Sequence, residues 1–281
     1  MTTTDQPTFD PGPLPTTTYE ARLTDEQVAG FHREGFTSIE RITTDEELEW
    51  LRPLYDFLFA EKRGAWKGGY FDLARPYDSE GEDLVPQVLM PESRFPQLRE
   101  TNIARNARAI AAQLIGLPGP DLKTWSHMIL KPPRVGGPLP WHQDEAYWDT
   151  KYTYRALGVW VPLDPASIES GCMHFLPGSH REDVRAHRHI NDDPAVHGLE
   201  TEIDPSVAAR AVAVPIAPGG ATFHHCRTLH MTTPNVSDHV RRAWATEVQV
   251  EPVPLPEGEQ ASRPWVDAGQ AAWEDRSVYK R

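Results

Sequence analysis

Two histidines and an aspartate, spread over about ninety residues, are the part of this sequence that best fits a metal site. His142 and Asp144 stand two positions apart in the run Trp-His-Gln-Asp, and His230 follows much later. Side chains two apart on a β-strand point to the same face, so His142 and Asp144 can bind one ion together. Two imidazoles and one carboxylate suit a non-haem Fe(II) centre, because they leave positions open for a co-substrate and oxygen.

The distant ligand has three candidates, since His224, His225 and His230 all lie in the same short region. Strand periodicity alone does not choose among them, and a histidine on a strand is often an ordinary packed residue. His230 is favoured because Thr232 follows it on the same face of a strand, and Asn235 then opens a turn.

Arg241, eleven residues after His230, is a candidate anchor for a dicarboxylate co-substrate. On the predicted strand around it, Arg241, Ala243 and Ala245 share one face, and the two small residues leave room beneath the guanidinium. An arginine–carboxylate pair with two parallel hydrogen bonds is strong and directional where water is excluded. Taken alone, Arg241 would fit a surface salt bridge equally well, so its assignment depends on the histidines and the aspartate.

The composition narrows the possible partners. The chain has 281 residues and a formal net charge of −13, which argues against non-specific binding of nucleic acid or of an anionic membrane surface. Its two cysteines are too few for a disulfide framework, and no apolar run approaches the roughly 20 residues that cross a bilayer. We therefore expect a soluble cytoplasmic protein, monomer or homodimer, with a small-molecule substrate and no leader peptide at its N-terminus.

The first part of the chain predicts helices. Residues 1–18 are rich in threonine and proline and are expected to form a flexible arm. Predicted helices follow Thr24 as far as Gly35, run from Thr44 to about Glu61 with a possible interruption at Pro53, and run from Phe95 to Ile115.

After about residue 121 the pattern changes to short β-branched and aromatic runs separated by turns. This order predicts a mainly β fold with N-terminal helices (α+β), a sandwich or jelly roll with the helices packed on one sheet. We expect a single domain over 19–250, with a helical part at about 19–120 and a jelly-roll core at about 121–250. Residues 251–281 are expected to form a tail that wraps the surface or a partner chain.

The chain resembles the phytanoyl-CoA dioxygenase family, a branch of the Fe(II)- and 2-oxoglutarate-dependent oxygenases, over roughly residues 20–250. The resemblance rests on the motifs LTDEQVAGFHREGF, MILKPP, WHQD, GVWVPLD, ESGCMHFLPGSH and HCRTLHMTTPNVSDHVRRAW. It implies a double-stranded β-helix, or jelly roll, as the core. It also implies that Fe(II), 2-oxoglutarate and O2 are the cofactor and co-substrates.

The resemblance further implies roles for individual residues. His142, Asp144 and His230 would be the iron ligands, Arg241 and Thr232 would hold the distal carboxylate of 2-oxoglutarate, and Trp160 would line the co-substrate pocket. Halogenating relatives carry a small residue at the position of Asp144, so the carboxylate argues for hydroxylation or desaturation. In two respects the chain departs from the family: His174 replaces an aliphatic or small polar residue, and the lysine that contacts 2-oxoglutarate in some members has no assignable position.

Aromatic side chains crowd the metal motif and are candidates for a substrate pocket. His127 shares a strand face with the first of them and could bind the substrate or the co-substrate. For each of these residues the alternative is ordinary packing. The polar segment 181–205 is either a solvated insertion or a lid that excludes water. The candidate pocket residues are Trp125, Trp141, Tyr147 and Trp148.

Three functions remain open on this evidence. The leading one is a dioxygenase that hydroxylates or desaturates a small organic molecule while 2-oxoglutarate loses CO2 to give succinate. A branched acyl-CoA 2-hydroxylase is the alternative, disfavoured by the −13 charge because the phosphates of CoA need cations. A non-catalytic jelly roll that binds a metal or ligand is the third, and a structural zinc site would usually need four protein ligands.

Overall fold

The structure is a computed structural model that describes residues 9–62, 64 and 68–277. Within that part of the chain, the helices are α1 (Asp25–Glu34), α2 (Asp45–Ala60), α3 (Asn102–Ile115), α4 (Pro205–Ala208) and α5 (Pro264–Glu274). The strands are β1 (Phe36–Ile39), β2 (Tyr70–Asp72), β3 (Pro86–Leu89), β4 (Lys123–Lys131), β5 (Leu139–His142), β6 (Tyr152–Thr153), β7 (Ala156–Pro162), β8 (Met173–Phe175), β9 (Arg188–His189), β10 (Leu199–Glu200), β11 (Val212–Val214), β12 (Ala221–His225), β13 (His230–Thr232), β14 (Arg241–Gln249) and β15 (Val253–Pro254).

The three predicted helices are present, and their capping residues set where they begin. The Thr24 side chain accepts a hydrogen bond from the Gln27 amide, and the Gln27 side chain accepts one from the Thr24 amide, which closes a capping box. The second helix continues through Pro53 without interruption. The third was predicted to begin too early: Pro96–Glu100 forms a separate 3-10 turn, and Thr101 then caps α3 by accepting from the Ala104 amide.

Two antiparallel sheets form the jelly roll that the sequence predicted. The larger sheet has the strand order β1-β12-β7-β14-β4-β3-β2, and the smaller has the order β11-β8-β13-β5. Strands β1, β2 and β3 come from the part of the chain that the sequence predicted to be helical, and they extend both edges of the larger sheet. The larger sheet therefore takes strands from the N-terminal part of the chain as well as from the predicted β region.

The larger sheet has a hydrophobic core on each of its faces. On the outer face, α2 and α3 pack on the sheet through side chains such as Leu54, Ile110 and Trp244. On the inner face, the two sheets meet through side chains such as Ile129, Trp160 and Phe175. Because side chains alternate along a strand, residues next to each other on β14 serve different cores.

Both termini of the described chain pack against the domain. Residues 1–8 of the predicted arm lie outside the described residues, while Phe9 stacks on Phe57 of α2 at 4.9 Å between ring centroids. The predicted tail contains α5, which was not foreseen and which packs beside the metal motif. None of the helices in the described ranges is long and apolar enough to cross a membrane.

Candidate functional site

The structure brings His142, Asp144 and His230 together. Strands β5 and β13 pair with His142 opposite His230, and one ligand atom from each of the three residues lies within 4.8 Å of the others. The spacing had suggested that Asp144 lies on the same strand as His142. In the structure, β5 ends at His142 and Asp144 begins a 3-10 turn. That turn carries the carboxylate to 3.4 Å from His230 Nε2.

Backbone carbonyls fix both histidine rings in the form that a metal needs. His142 Nδ1 donates to the Pro140 carbonyl at 2.7 Å, and His230 Nδ1 donates to the Thr228 carbonyl at 2.9 Å. With Nδ1 protonated, a neutral imidazole presents a lone pair at Nε2. Burial lowers the pKa of His142 to about 3, so this ring is neutral at physiological pH. The His142 ring is therefore prepared to bind a cation through Nε2. Burial opposes protonation of His230, but the Asp144 carboxylate and the Thr228 carbonyl outweigh it and raise the pKa of that ring.

His224, one of the three candidates for the distal ligand, holds the carboxylate instead. Its Nε2 lies 2.9 Å from Asp144 Oδ2, on the side of the carboxylate away from the contact between Asp144 Oδ1 and His230. The hydrogen bond fixes one oxygen of Asp144 and leaves the other directed at the cluster. His225, the third candidate, is not part of the three-residue group and is paired instead with the amide of Arg227 at 3.1 Å.

Gly158 on β7 leaves the space that His224 occupies. A Cβ at Gly158 would stand 2.5 Å from His224 Nε2 and 3.2 Å from Asp144 Oδ2. We expect Gly158→Ala to displace His224 and to weaken Fe(II) binding by about 10- to 100-fold, as the loss of an outer partner of a metal ligand does. Anaerobic titration with Fe(II) measures this effect.

Gly30→Ala is the matched control for Gly158→Ala, because a Cβ there meets only the Arg33 side chain at 4.0 Å on the exposed face of α1. It should leave Fe(II) affinity unchanged and raise stability slightly, since alanine favours a helix. Equal Fe(II) affinity in wild type and Gly158→Ala, with both proteins folded, would refute the argument that His224 needs the space left by Gly158.

Arg241 is buried beside the cluster with much of its hydrogen-bonding capacity unused. Its side chain is 1% exposed, and neither Nε nor Nη1 has a partner among the described residues. The guanidinium carbon lies 5.2 Å from the centre of the Trp160 ring, which supports its planar face. Burial lowers the Arg241 pKa to about 10, so the group remains a cation at neutral pH. A buried cation with free donors is suited to a carboxylate.

Lys131 is a residue near this cation that the sequence analysis did not place. It stands opposite Arg241 in the pairing of β4 with β14, and it is fully buried. Its Nζ donates to Thr232 Oγ1 at 2.8 Å and also to the Thr233 carbonyl. Thr232 is thereby oriented next to Arg241. Lys131 is in the MILKPP motif, and its position two residues after Ile129 on an inward face was the signal available.

A cavity of about 310 Å³ opens from the cluster and from Arg241. Its wall includes His127, Trp160 and Thr232, and also three of the four predicted substrate-pocket aromatics, Trp125, Tyr147 and Trp148. Trp141 is not part of this wall, because it is adjacent to His142 on β5 and neighbouring strand residues point to opposite faces. Burial lowers the pKa of His127 to about 4, which keeps that ring neutral.

Three further polar residues of the cavity wall were missed by the sequence analysis: Gln87, His197 and Glu247. Glu247 lies on β14 six residues after Arg241, so strand periodicity alone could have placed it on the same face. Gln87 lies on β3, in the part predicted to be helical. His197 comes from the segment 181–205, which the structure places beside the cavity, with the Leu199 amide donating to Tyr147 Oη at 2.8 Å.

The residues directly after Asp144 anchor the C-terminal helix. Glu145 is 1% exposed and binds Arg227 Nε at 2.6 Å and Arg263 Nη2 at 2.7 Å. Trp265 Nε1 donates to the Ala146 carbonyl at 2.9 Å. Helix α5 is therefore fastened to the turn that carries the metal-site carboxylate.

The chain is similar to known proteins. The sequence pattern of the phytanoyl-CoA dioxygenase (PhyH) family matches residues 31–243. Over 187 residues the chain is 30% identical to phytanoyl-CoA dioxygenase domain-containing protein 1 of Mus musculus, which covers 61% of this chain and 62% of that protein. The chain thus spans about three fifths of the length of this curated relative.

Two solved structures extend the comparison. EvdO2 from Micromonospora carbonacea var. aurantiaca, complexed with 2-oxoglutarate, has 36% identity and a TM-score of 0.75 over 89% of this chain and 100% of that chain. SnoK, a non-haem α-ketoglutarate-dependent carbocyclase from nogalamycin biosynthesis, has 27% identity and a TM-score of 0.61 over 89% of this chain and 90% of that chain.

Proposed function

This chain belongs to the phytanoyl-CoA dioxygenase family of Fe(II)- and 2-oxoglutarate-dependent dioxygenases, and from that premise we propose that it hydroxylates or desaturates a small organic molecule. The observation that carries the proposal is the buried, unpaired guanidinium of Arg241 beside a three-residue metal cluster and an open cavity. A protein that only stored a metal would have no use for such a cation.

In this proposal His142, Asp144 and His230 hold Fe(II). The donor set fits, because backbone carbonyls hold Nδ1 of both rings, which leaves Nε2 of each ring for the cluster, and His224 holds one oxygen of Asp144 and leaves the other for the cluster. When bound, Fe(II) and 2-oxoglutarate supply the oxidising chemistry, in which O2 is reduced while 2-oxoglutarate is converted to succinate and CO2. Asp144 occupies the position that a halide would otherwise take, which favours hydroxylation or desaturation over halogenation.

Arg241 and Thr232 bind the distal carboxylate of 2-oxoglutarate in this proposal. Arg241 offers unpaired N–H donors to a carboxylate, and the Trp160 ring lies against its guanidinium. Lys131 fixes the Thr232 hydroxyl through the hydrogen bond at 2.8 Å. Because the Lys131 amino group donates to Oγ1, the Thr232 hydroxyl proton is free to point at the co-substrate.

The alternatives have less support. Among the described residues that line the cavity, Arg241 is the only arginine or lysine, so nothing else on the wall offers positive charge to the phosphates of an acyl-CoA. A structural zinc site usually has four protein ligands, whereas the group found here within the described chain has three. No specific contact favours either alternative.

Anaerobic titration with Fe(II) and then 2-oxoglutarate tests the proposal. Wild type should give the weak visible absorption of the iron–2-oxoglutarate chelate. His230→Gln should lose it, whereas His225→Gln, the same change five residues earlier on the preceding strand β12, should retain it. No absorption in wild type, with tight binding of zinc instead, would refute the dioxygenase proposal.

A further inference from the structure

We propose that Glu247 and Gln87 form a substrate-recognition pair, and that they select an uncharged ring compound carrying hydroxyl groups. This inference rests on the proposed function, because it assigns the part of the cavity that the metal ligands and the co-substrate residues leave free. It concerns which molecule is oxidised, and the oxidation chemistry itself does not depend on it.

The inner face of strand β14 runs along the cavity. Arg241, Ala243, Ala245 and Glu247 share its inner face, and the first and last of these lie about 20 Å apart at roughly 3.4 Å per residue. The two alanines between them leave the cavity open along its length. Arg241 therefore lies at one end of this row, while Glu247 lies at the other, opposite Gly158 of β7.

Glu247 and Gln87 are buried polar residues with unused capacity. Glu247 is 7% exposed and Gln87 is 2% exposed, and both line the cavity. Glu247 Oε2 and Gln87 Oε1 have no hydrogen-bond partner among the described residues. Buried polar atoms in native proteins are nearly always paired, so an unpaired atom on a cavity wall indicates a ligand that completes it.

The sheet register places these two residues on one diagonal with His127 between them. Gln87 pairs with Ile129, two residues from His127 on the next strand, and His127 pairs with Ala245, two residues from Glu247. Diagonal neighbours of this kind are separated by about 7–8 Å, within reach of long side chains. A substrate that binds both Gln87 and Glu247 must carry hydrogen-bonding groups at two separate positions.

The charges around this diagonal favour an uncharged substrate. Burial raises the pKa of Glu247 well above its usual value, and the nearby Asp144 charge raises it further. Burial also keeps His127 and His197 neutral by lowering their pKa values to about 4 and about 3. A hydroxyl group both donates and accepts, so it can complement a carboxyl group as well as a side-chain amide.

The rest of this end of the cavity is apolar. Leu89, Trp125 and Trp148 line it, and Trp125 stands opposite Glu247 in the pairing of β4 with β14. Indole rings bind the flat C–H faces of a saturated or aromatic ring, and a few polar groups then fix its orientation. The combination fits a ring that has apolar faces and hydroxyl groups at its edge.

Three probes that share one ring frame test the inference. They are 1,4-cyclohexanedimethanol, 1,4-cyclohexanedicarboxylate and 1,4-bis(aminomethyl)cyclohexane, and their binding to the anaerobic Fe(II)–2-oxoglutarate protein is measured by calorimetry. The diol should bind most tightly. Glu247→Leu and Gln87→Leu should each weaken diol binding by about five- to tenfold, the effect of one lost hydrogen bond. Glu247→Gln should restore most of the affinity, because the amide still donates and accepts.

Thr246→Val is the matched control, because Thr246 is also buried on β14 but faces away from the cavity. It should bind the diol as wild type does. Tighter binding of the diamine or the dicarboxylate, failure of the diol to bind, or equal diol affinity in Glu247→Leu would overturn the inference. A normal chelate absorption beside any of these results shows that the recognition pair alone has failed, whereas its absence in wild type is a failure of the proposed function.

Discussion

Replacing Arg241 with leucine should raise the KM for 2-oxoglutarate by between about 30-fold and about 4000-fold. The range follows from the roughly 2–5 kcal/mol lost when one member of a buried, hydrogen-bonded charge pair is removed, at about 1.4 kcal/mol for each factor of ten. Arg241 is 1% exposed, so water cannot replace its guanidinium at the carboxylate. The kcat at saturating 2-oxoglutarate should fall much less, because the pair is made equally in the bound state and the transition state.

The same substitution should leave the free energy of unfolding unchanged or raised. In the free protein, Nε and Nη1 of Arg241 are buried without a partner, and an unpaired buried charge costs free energy. Leucine removes that cost and retains an apolar side chain above Trp160. The sign of the change in the free energy of unfolding thus distinguishes the two roles, since loss of a structural residue would lower that free energy. Thermal unfolding with and without 2-oxoglutarate measures both quantities.

Arg242→Leu provides the matched comparison one residue later. Arg242 points to the opposite side of β14, where its Nη1 binds Asp164 Oδ1 at 2.9 Å and its Nη2 binds Asp56 Oδ1 at 2.8 Å. That variant should lose stability and keep its KM for 2-oxoglutarate. If the two variants exchanged these behaviours, the assignment of Arg241 to the co-substrate would be wrong.

The contrast between these two arginines also shows what strand periodicity can predict. The alternation along β14 separates Arg241 from Arg242 without any knowledge of the fold, because neighbouring side chains point to opposite faces. Short β-branched and aromatic runs separated by turns predicted the jelly-roll strands, and Thr24 and Thr44 marked the starts of α1 and α2. Local patterns succeeded where the structure depends on residues close in sequence.

The remaining features depend on contacts between distant segments. The sequence could not place Lys131 or Gln87 because their roles arise from the pairing of β4 with β14 and with β3. Strand periodicity alone could not choose between His224 and His230, and His230 was favoured only because Thr232 follows it; in the structure both histidines meet Asp144, at different oxygens. Helix α5 was missed because its position is set by ion pairs to Glu145, more than a hundred residues earlier.

Replacing Glu145 with alanine should lower the free energy of unfolding by about 3–5 kcal/mol, the usual cost of breaking a buried ion pair by removing one partner. Glu145 is 1% exposed, and it meets Arg227 Nη2 at 3.0 Å as well as Arg227 Nε and Arg263 Nη2. The variant would leave Arg263 without its carboxylate partner and Arg227 with only the exposed Asp183, at 3.1 Å from its Nη1. Denaturant unfolding at neutral pH measures the difference.

The effect should depend on pH in a defined direction. Burial opposes the ionisation of Glu145, but the hydrogen bonds and charges of Arg227 and Arg263 outweigh it and hold the pKa of Glu145 below its ordinary value of 4.5. A carboxyl group with a lowered pKa in the folded protein contributes stability that is fully present above its unfolded pKa. The difference between wild type and Glu145→Ala should therefore be constant near neutral pH and shrink as the pH falls below 4.5.

Asp238→Ala is the control, because Asp238 and Arg134 form a pair at 2.7 Å whose side chains are 79% and 73% exposed. An exposed pair contributes about 0–1 kcal/mol, so the same kind of truncation should cost little. Glu145→Ala should also speed hydrogen exchange in α5, since Arg263 precedes that helix, and should weaken Fe(II) binding, since Glu145 adjoins Asp144. If its stability loss equalled that of Asp238→Ala, the buried cluster would not be what holds α5 against the metal site.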